Sequence, residues 1–158
     1  MAQYKRKHQK RTDYRARLKL VSSGKNRLII RRSNKNFLLQ IAQFKDGGDK
    51  ILLSATSKEL TTLGWKGSTS NIPSAYLTGL LMAKKSKEKK LQEVVLDLGL
   101  AKAHTGGNLF AALKGCVDGG MNIPHGKEVF PKEDRIKGSH TKDKGAQFET
   151  VKKNILAK

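Results

Sequence analysis

The chain has 158 residues, of which 33 are Lys or Arg and 13 are Asp or Glu, giving a formal net charge of +20. Small soluble domains carry a net charge of magnitude about 2–8, so the surplus indicates an anionic partner. The sequence lacks both a basic amphipathic helix with a broad apolar face and an apolar run of about 18 residues, which disfavours a membrane partner. Nucleic acid is therefore the predicted partner class.

The single cysteine, Cys116, excludes an internal disulfide and fits a reducing compartment. The four histidines lie far apart in the sequence, so no zinc-binding spacing exists. A nucleotide-binding phosphate loop is also missing, since that motif has four residues between its first Gly and its Gly-Lys pair and then Ser or Thr. Here five residues separate Gly120 from Gly126, and Glu128 follows Lys127. We expect no metal, no cofactor and no small-molecule substrate.

Residues 1–26 are predicted to be a basic arm. From Met1 to Lys35 there are 13 Lys or Arg residues and one acid, Asp13. Like charges discourage an isolated helix over residues 12–21, so we expect an arm that becomes ordered on RNA or DNA. The candidate RNA-binding residues of the arm are Lys5, Arg6, Lys7, Lys10, Arg11, Tyr14, Arg15, Arg17 and Lys19.

Residues 27–121 are predicted to form an α/β domain that begins with strands. Apolar runs at residues 27–32, 37–44 and 51–56 are joined by short turns rich in Asn, Gly and Asp. This pattern predicts a three-stranded antiparallel meander.

A helix, a parallel strand and a second helix are predicted to follow. Apolar residues recur at helical spacing over residues 73–90 and 108–119, and residues 94–99 are nearly all apolar, as in a strand covered on both faces. A helix between two strands implies a right-handed parallel crossover. Residues 122–158 form a C-terminal extension, whose helical stripe over residues 143–157 fits either docking on the domain or binding to a partner.

Four polar residues crowd the first turn of the predicted meander: Arg31, Arg32, Asn34 and Lys35. Three cations beside an amide indicate a phosphate contact. We expect Arg32 to be the fork-shaped phosphate ligand, because Arg31 is expected on the opposite face of the strand.

The loop before the first long helix is rich in small polar residues and contains the only tryptophan. A helix start preceded by such residues is a natural anion site. The candidate RNA-binding residues of this loop are Trp65, Lys66, Gly67, Ser68, Thr69 and Asn71. Trp65 either anchors the core or stacks on a base or sugar, and we favour the contact role. His104 and Asn108 flank a glycine pair before the second helix, which fits another anion site or a plain tight turn.

An enzymatic alternative rests on four acids, which a metal-dependent RNA-processing nuclease could gather around magnesium: Asp46, Asp49, Glu59 and Asp97. Asp46 and Asp49 bracket a glycine turn, however, where acids commonly occur for turn formation. The sequence has only nine aromatic residues and no paired-aromatic strand motif for stacking single-stranded bases. A structured RNA bound through phosphates and shape fits better, and no enzyme is expected.

Five motifs occur in order: residues 31–35 (RRSNK), 64–69 (GWKGST), 75–81 (AYLTGLL), 110–115 (FAALKG) and 123–126 (IPHG). Together they resemble the large-subunit ribosomal protein L-eighteen family in its archaeal form. The resemblance implies an α/β domain that binds 5S rRNA and helps attach it to 23S rRNA in the central protuberance. It also implies a cytoplasmic location in the large ribosomal subunit, beside neighbouring ribosomal proteins. Binding to another structured RNA remains the alternative of the same class.

Overall fold

The computed structural model describes residues 5–45, 47–139 and 146–157, which fold into one sheet and its surrounding helices. The strands are β1 (Asn26–Arg32), β2 (Phe37–Lys45), β3 (Gly48–Thr56) and β4 (Val94–Asp97). The helices are α1 (Lys5–His8), α2 (Tyr14–Ser22), α3 (Glu59–Thr62), α4 (Ile72–Glu88), α5 (Asn108–Asp118), α6 (Glu133–Lys137) and α7 (Ala146–Ala157). A 3-10 turn, Lys127–Val129, precedes α6.

The strands are ordered β3-β2-β1-β4 across the sheet. β1, β2 and β3 pair antiparallel in chain order, and β4 pairs parallel with the other side of β1. The predicted α/β class is therefore confirmed. The chain crosses from β3 to β4 through α3 and α4, and α4 packs on β2 and β3 while α5 packs on β1. The crossover helix α4 and the helix α5 that follows β4 therefore both lie against the sheet.

The two faces of the sheet differ in character. The face under α4 and α5 forms the core, and its fully buried side chains include Leu28, Ile30, Leu39, Ile41 and Ala55. The opposite face, which we call the open face, is exposed near the β2–β3 turn, where Phe44 and Ile51 remain 43% and 44% exposed, whereas Arg27 and Asp97 on it are buried. Along β4, Val94 and Asp97 are buried and Val95 and Leu96 are half-buried, so each face of this strand is at least partly covered. β4 ends at Asp97 and not at residue 99.

Helices α4 and α5 pack unusually closely, because glycines face backbone at their contact. A Cβ on Gly79 would lie 2.1 Å from the carbonyl oxygen of Ala112, and one on Gly115 would lie 2.1 Å from that of Tyr76. The contacts advance along both helices in the same direction, up to Gly119 beside Ala83. The two helices therefore run parallel with their N-termini side by side.

The C-terminal helix α7 docks on the domain, which the sequence left undecided. Its apolar residues Phe148, Val151 and Ile155 are 0–2% exposed, and the Phe148 and Tyr76 ring centroids are 5.7 Å apart. The predicted helix start at residue 143 lies outside the described residues. None of the described helices is long and apolar enough to cross a membrane.

We expect Gly115→Ala to lower the free energy of unfolding by about 1–3 kcal/mol, because the added methyl group must push α4 and α5 apart. The destabilisation from separating the helices should outweigh the stabilisation of about 1 kcal/mol that alanine gives through its higher helix propensity. Urea denaturation measures the difference. Gly126→Ala is the control, since its Cβ would meet no described atom within 4 Å and the φ of Gly126 is −84°. Equal stability of Gly115→Ala and the parent would contradict the close-contact interpretation.

Candidate nucleic-acid interface

Three loops meet beside the starts of α4 and α5. The Thr69 hydroxyl donates a hydrogen bond to the Lys35 carbonyl at 2.6 Å, and its oxygen lies 3.1 Å from Asn36 Oδ1. Asn108 Nδ2 at the start of α5 donates to the Ser70 carbonyl at 3.2 Å. We call residues 32–36, 66–71 and 104–108 together the polar edge. These residues include no Asp or Glu.

The turn between β1 and β2 is held by its own hydrogen bonds. The Ser33 N–H and Oγ both donate to the Asn36 carbonyl, at 2.9 and 3.0 Å, and the Asn36 N–H donates back to Ser33 Oγ at 3.0 Å. Arg32, Asn34 and Lys35 are exposed on this turn. Their side chains therefore project from a backbone that is already fixed.

Arg31 is separated from Arg32, as the strand alternation predicts. Its Nη1 donates to the Asp97 carbonyl at 2.9 Å and its Nη2 lies 3.1 Å from Asp97 Oδ1. The side chain remains 42% exposed. Arg31 thus contacts the open face of the sheet, and the predicted four-residue cluster becomes three residues at the turn.

Trp65 lies in the core beneath the polar edge. The residue is 8% exposed, and its Nε1 donates to the Ser68 carbonyl at 3.0 Å, which folds the loop over the indole. A Cβ on Gly67 would lie 3.0 Å from the indole Cζ2, so glycine at this position lets the loop close. This geometry favours the anchoring role of Trp65 over the contact role that we favoured from the sequence.

The helix starts bring backbone donors to the polar edge. Asn71 Oδ1 accepts from the Ser74 N–H at 2.9 Å and so caps α4, while Gly107 has no side chain to cap α5. Neither helix has an acid in its first turn. The partial positive charges of two parallel helix N-termini are therefore available to an anion such as a phosphate.

The remaining predicted residues of the polar edge are at or near its surface. Lys66, Ser68 and His104 are exposed, and Gly67 and Asn108 are half-buried. Ser68 Oγ lies 3.2 Å from Ser70 Oγ. Loop and turn residues far apart in sequence thus form one continuous polar surface.

The arm residues form a second basic surface. Asp13 Oδ1 caps α2 by accepting from the N–H groups of Arg15 and Ala16, which offsets the like-charge repulsion expected there. Arg17 pairs with Asp49 of β3 at 2.9 Å. Tyr14 is half-buried. The other predicted cations of the arm are all exposed: Lys5, Arg6, Lys7, Lys10, Arg11, Arg15 and Lys19. Ordering of the arm on RNA stays a prediction.

A buried arginine connects the arm to the sheet, and the sequence analysis missed it. Arg27 is 1% exposed, and it pairs with Asp97 at 2.9 Å and also with Asp49. Those carboxylates in turn bind Arg31 and Arg17. The signal available in the sequence was Asp97, the one charged residue within the apolar run of residues 94–98.

These pairings weaken the nuclease alternative. Asp49 and Asp97 face arginines, and Glu59 pairs with Lys85 at 2.6 Å. Asp46 lies outside the described residues. Within the part of the chain that the structure describes, no group of three or more His, Cys, Asp or Glu residues is placed to hold a metal ion.

Lysines at the end of α4 contact protein backbone. Lys85 Nζ donates to the Ser54 carbonyl at 3.0 Å, and Lys89 Nζ donates to the Leu52 carbonyl at 3.4 Å. Both carbonyls belong to β3, which is an edge strand. Lys84 Nζ donates to the Ile155 carbonyl of α7 at 2.8 Å. These lysines therefore protect a sheet edge and bind α7.

Comparison with known proteins places the chain among ribosomal proteins. A sequence model described as "Ribosomal large subunit proteins 60S L5, and 50S L18" matches residues 1–93 and 84–126. The chain belongs to this family. The archaeal resemblance identified from the motifs is also confirmed, because the most similar relatives include archaeal proteins of the same family.

Three of these relatives are named large ribosomal subunit protein uL18. The protein of Methanothermobacter thermautotrophicus is 47% identical over 137 residues, which cover 87% of this chain and 71% of that protein. The protein of Methanoregula boonei is 43% identical over 152 residues, covering 96% and 87% of the two chains. The protein of Methanococcus maripaludis is 45% identical over 140 residues, covering 89% and 72%.

The pairing of Asp49 predicts acid sensitivity for this member of the L5/L18 family. Burial would raise the pKa of Asp49, but the hydrogen bonds and charges of Arg27 and Arg17 outweigh burial and hold the pKa below its ordinary value. A lowered folded-state pKa contributes stability above the unfolded pKa of about 3.9, and this contribution disappears as the pH falls through the folded pKa. We expect the melting temperatures of the parent and Asp49→Asn to differ at pH 7 and to converge below about pH 4.

Thermal denaturation from pH 7 to pH 2 measures this convergence. Asp134→Asn, which changes an exposed carboxylate on α6, is the control for a general effect of charge. A gap between the parent and Asp49→Asn that stays constant over this range would contradict the pairing.

We expect Trp65→Ala to lower the free energy of unfolding by about 3–5 kcal/mol, because it leaves a large cavity in the core. Trp65→Phe should cost less, since it keeps the apolar contacts and loses the hydrogen bond to Ser68. Chemical denaturation measures both variants. A Trp65→Phe protein with parental stability but much weaker RNA binding would instead support the stacking role.

Proposed function

We propose that this protein is a structural component of the large ribosomal subunit that binds 5S rRNA and mediates its attachment to 23S rRNA in the central protuberance. Membership of the L5/L18 family supports the ribosomal role, and the net charge of +20 supports a polyanionic partner. The proposed location is the cytoplasmic ribosome, beside neighbouring large-subunit proteins. We infer a role in assembly and architecture, without catalysis.

The polar edge is the observation that carries the proposal. Two helix N-termini, the exposed cations Arg32, Lys35 and Lys66, and several hydroxyl groups occur together without an acid. Charge-assisted hydrogen bonds from such groups are strongest with phosphate or carboxylate oxygens. Because the turn and loop are braced by internal hydrogen bonds, little conformational entropy is lost when RNA binds.

The proposed functions of the three segments differ. Residues 1–26 supply phosphate contacts that increase affinity, and residues 27–121 present the rigid polar edge that fixes position on folded RNA. Residues 122–158 pack against the domain through α7. The proposed RNA surface therefore combines an adaptable region and a fixed one.

We expect the triple change of Arg32, Asn34 and Lys35 to alanine to weaken 5S rRNA binding at least tenfold, about 1.4 kcal/mol at physiological salt. These exposed side chains project from a turn whose backbone bonds they do not form, so the melting temperature should stay nearly unchanged. Filter binding or fluorescence anisotropy with labelled 5S rRNA measures affinity, and circular dichroism checks the fold.

The control is the triple change of Gln43, Lys45 and Lys50 to alanine. It also removes one amide and two cations from exposed positions, but at the opposite end of β2. Equal loss of binding by both variants would show a dependence on total charge alone. An affinity of the Arg32, Asn34 and Lys35 variant within twofold of the parent would exclude the polar edge as the RNA-binding surface. Transfer RNA as competitor distinguishes 5S rRNA from other structured RNA. Cleavage of labelled RNA by the protein in the presence of magnesium would favour the nuclease alternative.

A further inference from the structure

The C-terminal helix makes two polar contacts with the loop that leads into the polar edge. The Lys66 N–H donates to Gln147 Oε1 at 3.0 Å, and Asn154 Nδ2 donates to the Leu63 carbonyl at 3.0 Å. Gln147 and Asn154 are seven residues apart, which is about two helical turns, so both lie on one side of α7. One side of a single helix therefore binds the loop backbone at two points.

α7 is itself firmly attached to the rest of the domain. Phe148, Val151 and Ile155 are buried against the core, and Lys84 Nζ of α4 donates to the Ile155 carbonyl at 2.8 Å. The loop thus lies between a fixed helix on one side and the turn at Lys35 on the other.

The loop requires such support because its sequence favours many conformations. Gly64 has a φ of +98°, a value that glycine adopts readily and other residues adopt rarely. Glycines and small polar residues increase the number of conformations that the unsupported loop can populate. Hydrogen bonds to the backbone of Leu63 and Lys66 restrict this freedom on both sides of Gly64 and Trp65.

We propose that α7 is a positioning element for RNA binding: Gln147 and Asn154 hold residues 63–66 so that the polar edge is preorganised. This inference rests on the proposed function and extends it to a segment outside the binding surface. Gln147 and Asn154 act through the loop backbone. Both side chains are uncharged, so their effect on affinity should not change its salt dependence.

The test is the double variant Gln147→Met and Asn154→Ala, in which methionine keeps the length of the Gln147 side chain. The Lys66 amide should exchange with solvent at least about tenfold faster, because its acceptor is lost. The affinity for 5S rRNA should fall by about three- to tenfold, since the RNA must then order the loop. The slope of log affinity against log salt should match that of the parent.

Two controls separate positioning from general stability. Thr150→Ala removes an exposed polar group from α7 and should leave both the Lys66 exchange rate and the affinity unchanged. Gln147→Glu keeps an acceptor oxygen and should keep the Lys66 exchange slow. Exchange at Ile30 in the buried strand β1 should be parental in all variants, which reports an intact core.

Unchanged exchange at Lys66, or faster exchange with affinity within twofold of the parent, would overturn the inference while leaving the proposed function standing. A reduced salt slope would also overturn it, because it would mean that phosphate contacts were lost. Failure of the parent protein to bind 5S rRNA would overturn the proposed function and this inference together.

Discussion

The close contact between α4 and α5 is the constraint on which the other features depend. Glycines at positions 79 and 115 let backbone meet backbone, and any side chain there would separate the helices. Because the helices are parallel, their N-termini lie together, and Asn108 can bind the Ser70 carbonyl between them. The same packing covers the apolar face of the sheet, so the contacts that form the core also bring the α4 and α5 parts of the polar edge together.

The ion pairs on the open face have a comparable role for the arm. A buried arginine such as Arg27 is costly unless its charge is matched, and Asp49 and Asp97 match it. Their remaining oxygen atoms bind Arg17 of the arm and Arg31 of β1. The arm helix is therefore attached to the sheet by the carboxylates that stabilise the interior, which gives Asp49 and Asp97 a structural role in so basic a chain.

Periodicity and turn residues predicted the main elements, because the strands and helices bury continuous apolar faces whose spacing is visible in the sequence. The helix over 73–90 and the start of α5 were predicted to within a residue or two. The role of Trp65 was not predictable, because a tryptophan in a polar loop fits either burial or stacking. The Arg27 pairs and the docking of α7 were also beyond reach, since both depend on contacts between residues 22 to 91 positions apart.

The positive charge is consequently not one uniform property of the surface. Some cations are matched within the protein: Arg17, Arg27 and Arg31 by carboxylates, and Lys85 and Lys89 at the edge of β3. Among the exposed cations left to an external anion, those of the arm and those beside the first turn differ physically. The arm is expected to become ordered on RNA and would then lose conformational freedom, whereas the cations beside the turn at residues 33–36 are already placed. Long-range electrostatic attraction of RNA should therefore come mainly from the arm, and the orientation of a bound RNA mainly from the polar edge.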